Sequence, residues 1–161
     1  MKYHINGVKV DKSKFIIPEY ALPAKDWLDH NEGDLSNKNV EIYAFIRNPL
    51  ERVILQYLHQ MKHRPALRQY PITFKEWCFA SYTNSNMDKF MQNNPKEFLS
   101  QSKWLGDLNN YNLKVFNIND TILNKKMKFE RVNIKDHYDD LTKDLISSWY
   151  AIDFHLLDEL S

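Results

Sequence analysis

The chain has 161 residues and a net charge of +1, with 22 basic against 21 acidic residues and a single cysteine, Cys78. That length is expected to fold as one domain that hides roughly 68–70% of its unfolded surface, and the balanced charge excludes a global field drawing in nucleic acid or an acidic membrane. One cysteine excludes an internal disulfide, no stretch is apolar for long enough to span a bilayer, and Met1-Lys2-Tyr3-His4 does not open as a secretory signal does, so the expectation is a soluble, cytoplasmic protein.

In chain order, Lys2–Ile5 and Val8–Val10 flank Asn6-Gly7, a strong hairpin signal. Phe15-Ile16-Ile17 is a short apolar run stopped by Pro18, and Pro23 leads into a short predicted helix over Ala24–His30. Asn31–Asn39 is a polar connector, too short for a domain linker. Val40–Ile46 is apolar, β-branched or aromatic apart from Glu41, the composition of a strand covered on both faces in a parallel sheet. Arg47 follows at once, then Asn48 as N-cap, Pro49 at the first helical position and Glu51 where a capping-box carboxylate reaches back. An arginine therefore stands at the carboxyl end of a strand, beside a helix N-terminus whose backbone N–H groups and dipole favour anions. In that helix Leu50, Val53, Ile54, Tyr57, Leu58 and Met61 form one apolar stripe, with Tyr57 as core. Arg52, Gln56, His59 and His63 lie opposite, with Leu55 among them.

Arg64–Pro71 is a basic, proline-punctuated connection, and Thr73-Phe74-Lys75-Glu76 a second capping box opening an aromatic helix over Ile72–Tyr82. Within it Cys78, between Trp77 and Phe79, reads as a small buried hydrophobe. A further short helix is predicted over Ser85–Asn94, a loop region over Pro95–Leu108 around Gln101 and Trp104, and strands over Leu113–Ile118 and Lys128–Ile134. Lys135–Ser161 is predicted helical, with Leu141, Leu145, Trp149, Ile152, Leu156 and Leu160 as its apolar face. Asp136, Asp139 and Asp140 form an acidic first turn rather than a calcium site. His59 and His63 have the spacing of two metal ligands, but no carboxylate or cysteine stands at a supporting spacing, so no metal is assigned.

Arg47-Asn48-Pro49-x-x-Arg52-x-x-Leu55-x-Tyr57 resembles the R-N-P-x-x-R-x-x-S-x-Y signature of sulfotransferases, the carbohydrate branch especially. Every signature position matches except the serine, which is Leu55. The resemblance implies that Arg47 and position 55, with Arg52 in support, hold the 3′-phosphate of phosphoadenosine phosphosulfate or adenosine 3′,5′-bisphosphate. A hydroxyl donates to a phosphate oxygen and an isobutyl group cannot. The order Phe74-x-x-Trp77, Gln101-x-x-Trp104-Leu105, then Thr142 leading to Tyr150-x-x-Asp153-Phe154, is similar to the family's downstream pattern. That pattern places Gln101 near cofactor and acceptor, and its final tyrosine–aspartate helix closes the fold. The family takes a base from a segment shortly before the R-N-P strand to remove the acceptor's proton. His30 stands in about that region, the alternative being a surface histidine at a helix end.

The chain departs from the family in two further places. The K-[ST]-G-T-[ST] loop that cradles the 5′-phosphosulfate is missing: none of Gly7, Gly33 and Gly106 stands in such a loop, and Lys12-Ser13-Lys14 reads as a charged surface turn. Where relatives have a strand ending in glutamate, this chain has Val115-Phe116-Asn117. The fold expected is α/β, a reduced P-loop-NTPase-like sulfotransferase fold with a short, mostly parallel sheet flanked by helices and a helical C-terminal half. It forms a single domain over 1–161: an N-terminal hairpin and connector over 1–39, a central strand–helix unit over 40–63 and a mainly helical remainder over 64–161. The function implied is transfer of a sulfuryl group, without a metal, to a hydroxyl of a carbohydrate or small molecule. The alternative is a catalytically inactive relative that binds a nucleotide, another phosphorylated ligand or a protein partner. A third, the latter portion of a longer enzyme, is weighed against by Met1 and the predicted hairpin. No nucleic acid or membrane partner is expected.

Overall fold

The computed structural model describes residues 8–10, 14–16, 42–82, 98–105, 113–119 and 130–160. These form a mixed α/β, mostly helical structure that divides into two compact units. The first comprises Met1–Arg47, Ser100–Glu130 and His155–Ser161; the second comprises Asn48–Leu99 and Arg131–Phe154.

The first unit holds a 4-stranded sheet of β1 (Val8–Val10), β2 (Lys14–Ile16), β3 (Ile42–Ile46) and β4 (Leu113–Asn117), in the order β2-β1-β3-β4. Only β3 and β4 run parallel, Ile42 opposite Leu113 through Ile46 opposite Asn117; β1 is antiparallel to both β2 and β3. The sheet is thus mixed, not mostly parallel. Residues 11–13 alone separate β1 from β2, and so short a connection returns the chain antiparallel, whereas the long path from β3 to β4 permits a crossover. Both edges of β1 are taken, by β2 and β3. The hairpin partner expected over Lys2–Ile5 lies outside the described residues, with Asn6-Gly7.

The expectation of cover on both faces holds for β3. Ala44 and Ile46 pack with Leu105 and Leu157 on one side, while Phe45, pointing the other way, stacks on Phe116 with ring centroids 5.9 Å apart. Where a loop was expected around Gln101, the chain forms a short helix, Gln101–Leu105. Its start was written in the sequence: Ser100 Oγ accepts from the Lys103 N–H at 3.1 Å, an ordinary serine N-cap.

In the second unit α1 (Pro49–His63) begins as expected, Asn48 Oδ1 accepting from the Leu50 N–H at 2.9 Å. Glu51, at the capping-box position, is buried and its Oε1 also accepts from Arg131 Nε at 2.9 Å. The connection expected over Arg64–Pro71 contains a short helix, α2 (Pro65–Gln69), opened by a proline at its first position. α3 (Phe74–Ser81) is capped by Thr73, as read. Numbering the Gln101–Leu105 helix α4, the chain closes with α5 (Asp140–Trp149) and α6 (Ala151–Glu159).

Two further expectations fail here. No strand forms over 130–134; instead Asn133 Oδ1 accepts from the Lys135 N–H at 3.0 Å and starts a 3-10 turn, Ile134–Asp136, the side chain competing with a ladder for the backbone. The C-terminal apolar face is also displaced by one residue. Leu141 and Ile152 are 60% and 58% exposed, while Thr142, Ile146, Tyr150 and Asp153 are buried. The helices predicted over Ala24–His30 and Ser85–Asn94 lie outside the described residues. No described helix is long and apolar enough to cross a membrane.

The displaced register is fixed at the start of α5. Asp139 Oδ1 accepts from the Thr142 N–H at 2.8 Å, and its Oδ2 accepts from Lys75 Nζ at 2.8 Å. The Lys75 hydrogen bond and the Thr142 donor hold the Asp139 carboxyl well below the usual carboxylate range. Its folded value lies below its unfolded value, so the stabilisation is present above about pH 4 and is lost as pH falls toward the folded value. Asp139→Asn, which keeps a capping oxygen, should therefore narrow the gap between urea midpoints at pH 7 and pH 3; an unchanged gap would refute this role.

Candidate functional site

Arg47 is the first residue past β3, and the last ladder bond beside it runs from the Ile118 N–H to the Ile46 carbonyl at 2.9 Å. The Arg47 peptide is then taken up by a side chain. Its N–H donates to Gln101 Oε1 at 2.9 Å, and Gln101 Nε2 donates to the Arg47 carbonyl at 2.7 Å. A primary amide is suited to this, having an acceptor and a donor side by side like a peptide group. Arg47 Nη1 donates to the Glu130 carbonyl at 2.8 Å, and the residue is only 5% exposed. A hydrogen bond from a charged donor contributes roughly 1.5–3 kcal/mol, and this part-buried one holds the guanidinium in place. Trp104, on the Gln101–Leu105 helix, is buried too, and its Nε1 has no acceptor among the described residues.

No family model, curated protein or solved structure matches the chain. Function must be argued from the residues.

In the second unit Arg52, expected on the polar side of α1, is buried, its guanidinium carbon 5.5 Å from the centroid of the Tyr150 ring. That separation is within cation–π range. The Tyr150 hydroxyl donates to the Phe98 carbonyl at 2.9 Å and lies 3.0 Å from the Tyr82 hydroxyl, which donates to Gln56 Oε1 at 3.0 Å. Burial pushes the Tyr150 phenol up to about 12, although Arg52 and the Tyr82 hydrogen bond pull it down, and burial raises Tyr82 well above its ordinary value. Both phenols are therefore protonated at neutral pH and suited to holding geometry, not to removing a proton. Tyr57 is core as expected, its hydroxyl donating to the Ile72 carbonyl at 2.7 Å. Cys78 is buried, and burial raises its thiol well above the usual value, which leaves it inert.

Of the residues assigned from the sequence, Arg47 and Gln101 are brought together in the first unit. Arg52 and the half-buried Leu55 lie on α1 in the second, and His30 lies outside the described residues. The Glu130 carbonyl, the Phe98 carbonyl, Tyr82 and Arg131 were not foreseen. Each acts on a residue far away in sequence, and no local pattern marks such a pairing.

Proposed function

We propose that the chain is a sulfotransferase-like protein of reduced P-loop-NTPase-like fold that binds adenosine 3′,5′-bisphosphate or phosphoadenosine phosphosulfate through Arg47. The observation that carries this reading is the position of Arg47 at the carboxyl end of the parallel β3–β4 pair, its peptide pinned by Gln101. Carboxyl ends of parallel strands are where α/β sheets take phosphorylated ligands. By resemblance, Arg52 supports the nucleotide, position 55 meets the 3′-phosphate, and Gln101 serves the cofactor by positioning Arg47.

Leu55 and the missing Gly-Thr loop favour a second reading, an inactive relative that keeps 3′-phosphate recognition without sulfuryl transfer. An active protein would use a hydroxyl of a carbohydrate or small molecule as acceptor, with His30 as its base.

Isothermal titration with adenosine 3′,5′-bisphosphate tests the binding. Heat should appear for the natural chain and vanish for Arg47→Ala. Leu55→Ser should tighten binding about tenfold, the worth of one hydrogen bond to a charged group, and misfolding cannot produce that gain. No heat at millimolar ligand in either form overturns the reading. Transfer of labelled sulfuryl from donor to simple sugars separates the active protein from the inactive one.

A further inference from the structure

We propose that His59 and His63 chelate a divalent transition-metal ion, Cu2+ in preference to Ni2+ or Zn2+, at the exposed end of α1. The two residues stand one turn apart on one helix face, both exposed, and their ring centroids are 4.4 Å apart with planes tilted by 43°. Side chains four apart on a helix are neighbours, so both imidazoles can reach one ion. Among divalent first-row ions copper binds nitrogen sites most tightly.

The surroundings leave this pair available for a ligand. His137 Nδ1 meets the Asn133 carbonyl at 3.1 Å and His155 pairs with Glu159 at 3.2 Å, whereas neither ring of the α1 pair has a hydrogen bond or ion pair among the described residues. The pair rides on a 15-residue helix whose earlier turns bury Leu50, Val53 and Ile54, so its backbone is held before any metal arrives. His63 is the last residue of that helix, where the dipole favours a cation. Lys62 and Arg64 oppose it. Among the described residues no third His, Cys, Asp or Glu completes a cluster with the pair.

The test is titration of the full chain with Cu2+ alone, followed by electron paramagnetic resonance and by thermal melting, for the natural sequence, His59→Gln, His63→Gln and the double variant. The natural chain should bind one Cu2+ with two equatorial nitrogens and melt higher with metal present. Each single change should weaken binding at least about tenfold, and the double change should remove the two-nitrogen signal, the other histidines being left in place throughout. A double variant that keeps the same affinity and spectrum, a one-nitrogen signal in the natural chain, or Zn2+ bound more tightly than Cu2+ overturns the assignment.

Discussion

Trp77→Ala is expected to destabilise the second unit by about 3–5 kcal/mol, the usual range for deleting a buried aromatic side chain. Trp77 is fully buried, with the rings of Tyr57, Phe74, Tyr82 and Phe98 around it at centroid separations of 5.7, 6.4, 6.0 and 6.1 Å. Its indole Nε1 donates to Gln60 Oε1 at 3.2 Å, and Gln60, two turns on from Val53 at the edge of the predicted stripe, is itself buried. Truncation therefore leaves a cavity walled by rigid rings, which collapse poorly, and removes the donor from a buried carbonyl. Against a total stability of about 5–15 kcal/mol for an ordinary domain, such a loss is a large fraction. Urea denaturation followed by tryptophan fluorescence and circular dichroism measures it. Lys143→Ala, an exposed position of α5 in the same unit, should move the midpoint by no more than about 0.5 kcal/mol. Equal midpoints for the two variants would remove Trp77 from the centre of the core.

What could be read from the sequence was what local chemistry decides. β3 announced itself because both of its faces are covered, and the start of α1 because Asn48 and Pro49 have few other uses in that order. Thr73 was legible for the same reason, whereas Asp139, read as part of the acidic first turn of a helix from Lys135, is the N-cap of α5. Some failures were local, since Ser100 and Asn133 each start an element through a cap of their own; the others involve a residue chosen by a distant partner. The apolar pattern of α5 and α6 offers two overlapping faces one residue apart, and counting hydrophobics selects Leu141, Trp149 and Ile152. The chain buries Thr142, Tyr150 and Asp153 instead, because Tyr150 finds Tyr82 and the Phe98 carbonyl, partners that lie far away in sequence. Arg52 looks like a solvent-facing residue on a helical wheel, yet an aromatic ring makes its burial affordable, while Gln60, at the edge of the stripe, is met by an indole N–H. Arg47 and Gln101 were both singled out, but as ligand-binding groups by resemblance; their direct pairing with each other was not legible from either.

Gln101→Ala should cost about 2–5 kcal/mol, because it removes two buried hydrogen bonds and strands the N–H and carbonyl of Arg47 in an interior site. Gln101→Glu is the sharper test, since it preserves the shape. A carboxylate still accepts from the Arg47 N–H but sets a second lone-pair oxygen against the Arg47 carbonyl, where the amide now donates at 2.7 Å. Only the protonated acid restores that bond, so burial and the carbonyl together should raise the folded-state pKa of the introduced group above its unfolded value of about 4.3. A carboxyl raised in this way destabilises the folded chain most at neutral pH. The deficit shrinks as pH falls through the raised folded value and disappears below the unfolded one. Gln101→Glu should thus recover toward the natural chain on acidification from pH 7 to pH 4.5, while Gln101→Ala should not. Midpoints for the two variants that run parallel across that interval would show that no proton returns to the bond. The same acid recovery should extend to adenosine 3′,5′-bisphosphate binding if Gln101 acts on the nucleotide through Arg47; a Gln101→Glu chain that is fully folded at pH 4.5 and still fails to bind would instead place the amide in direct contact with the ligand.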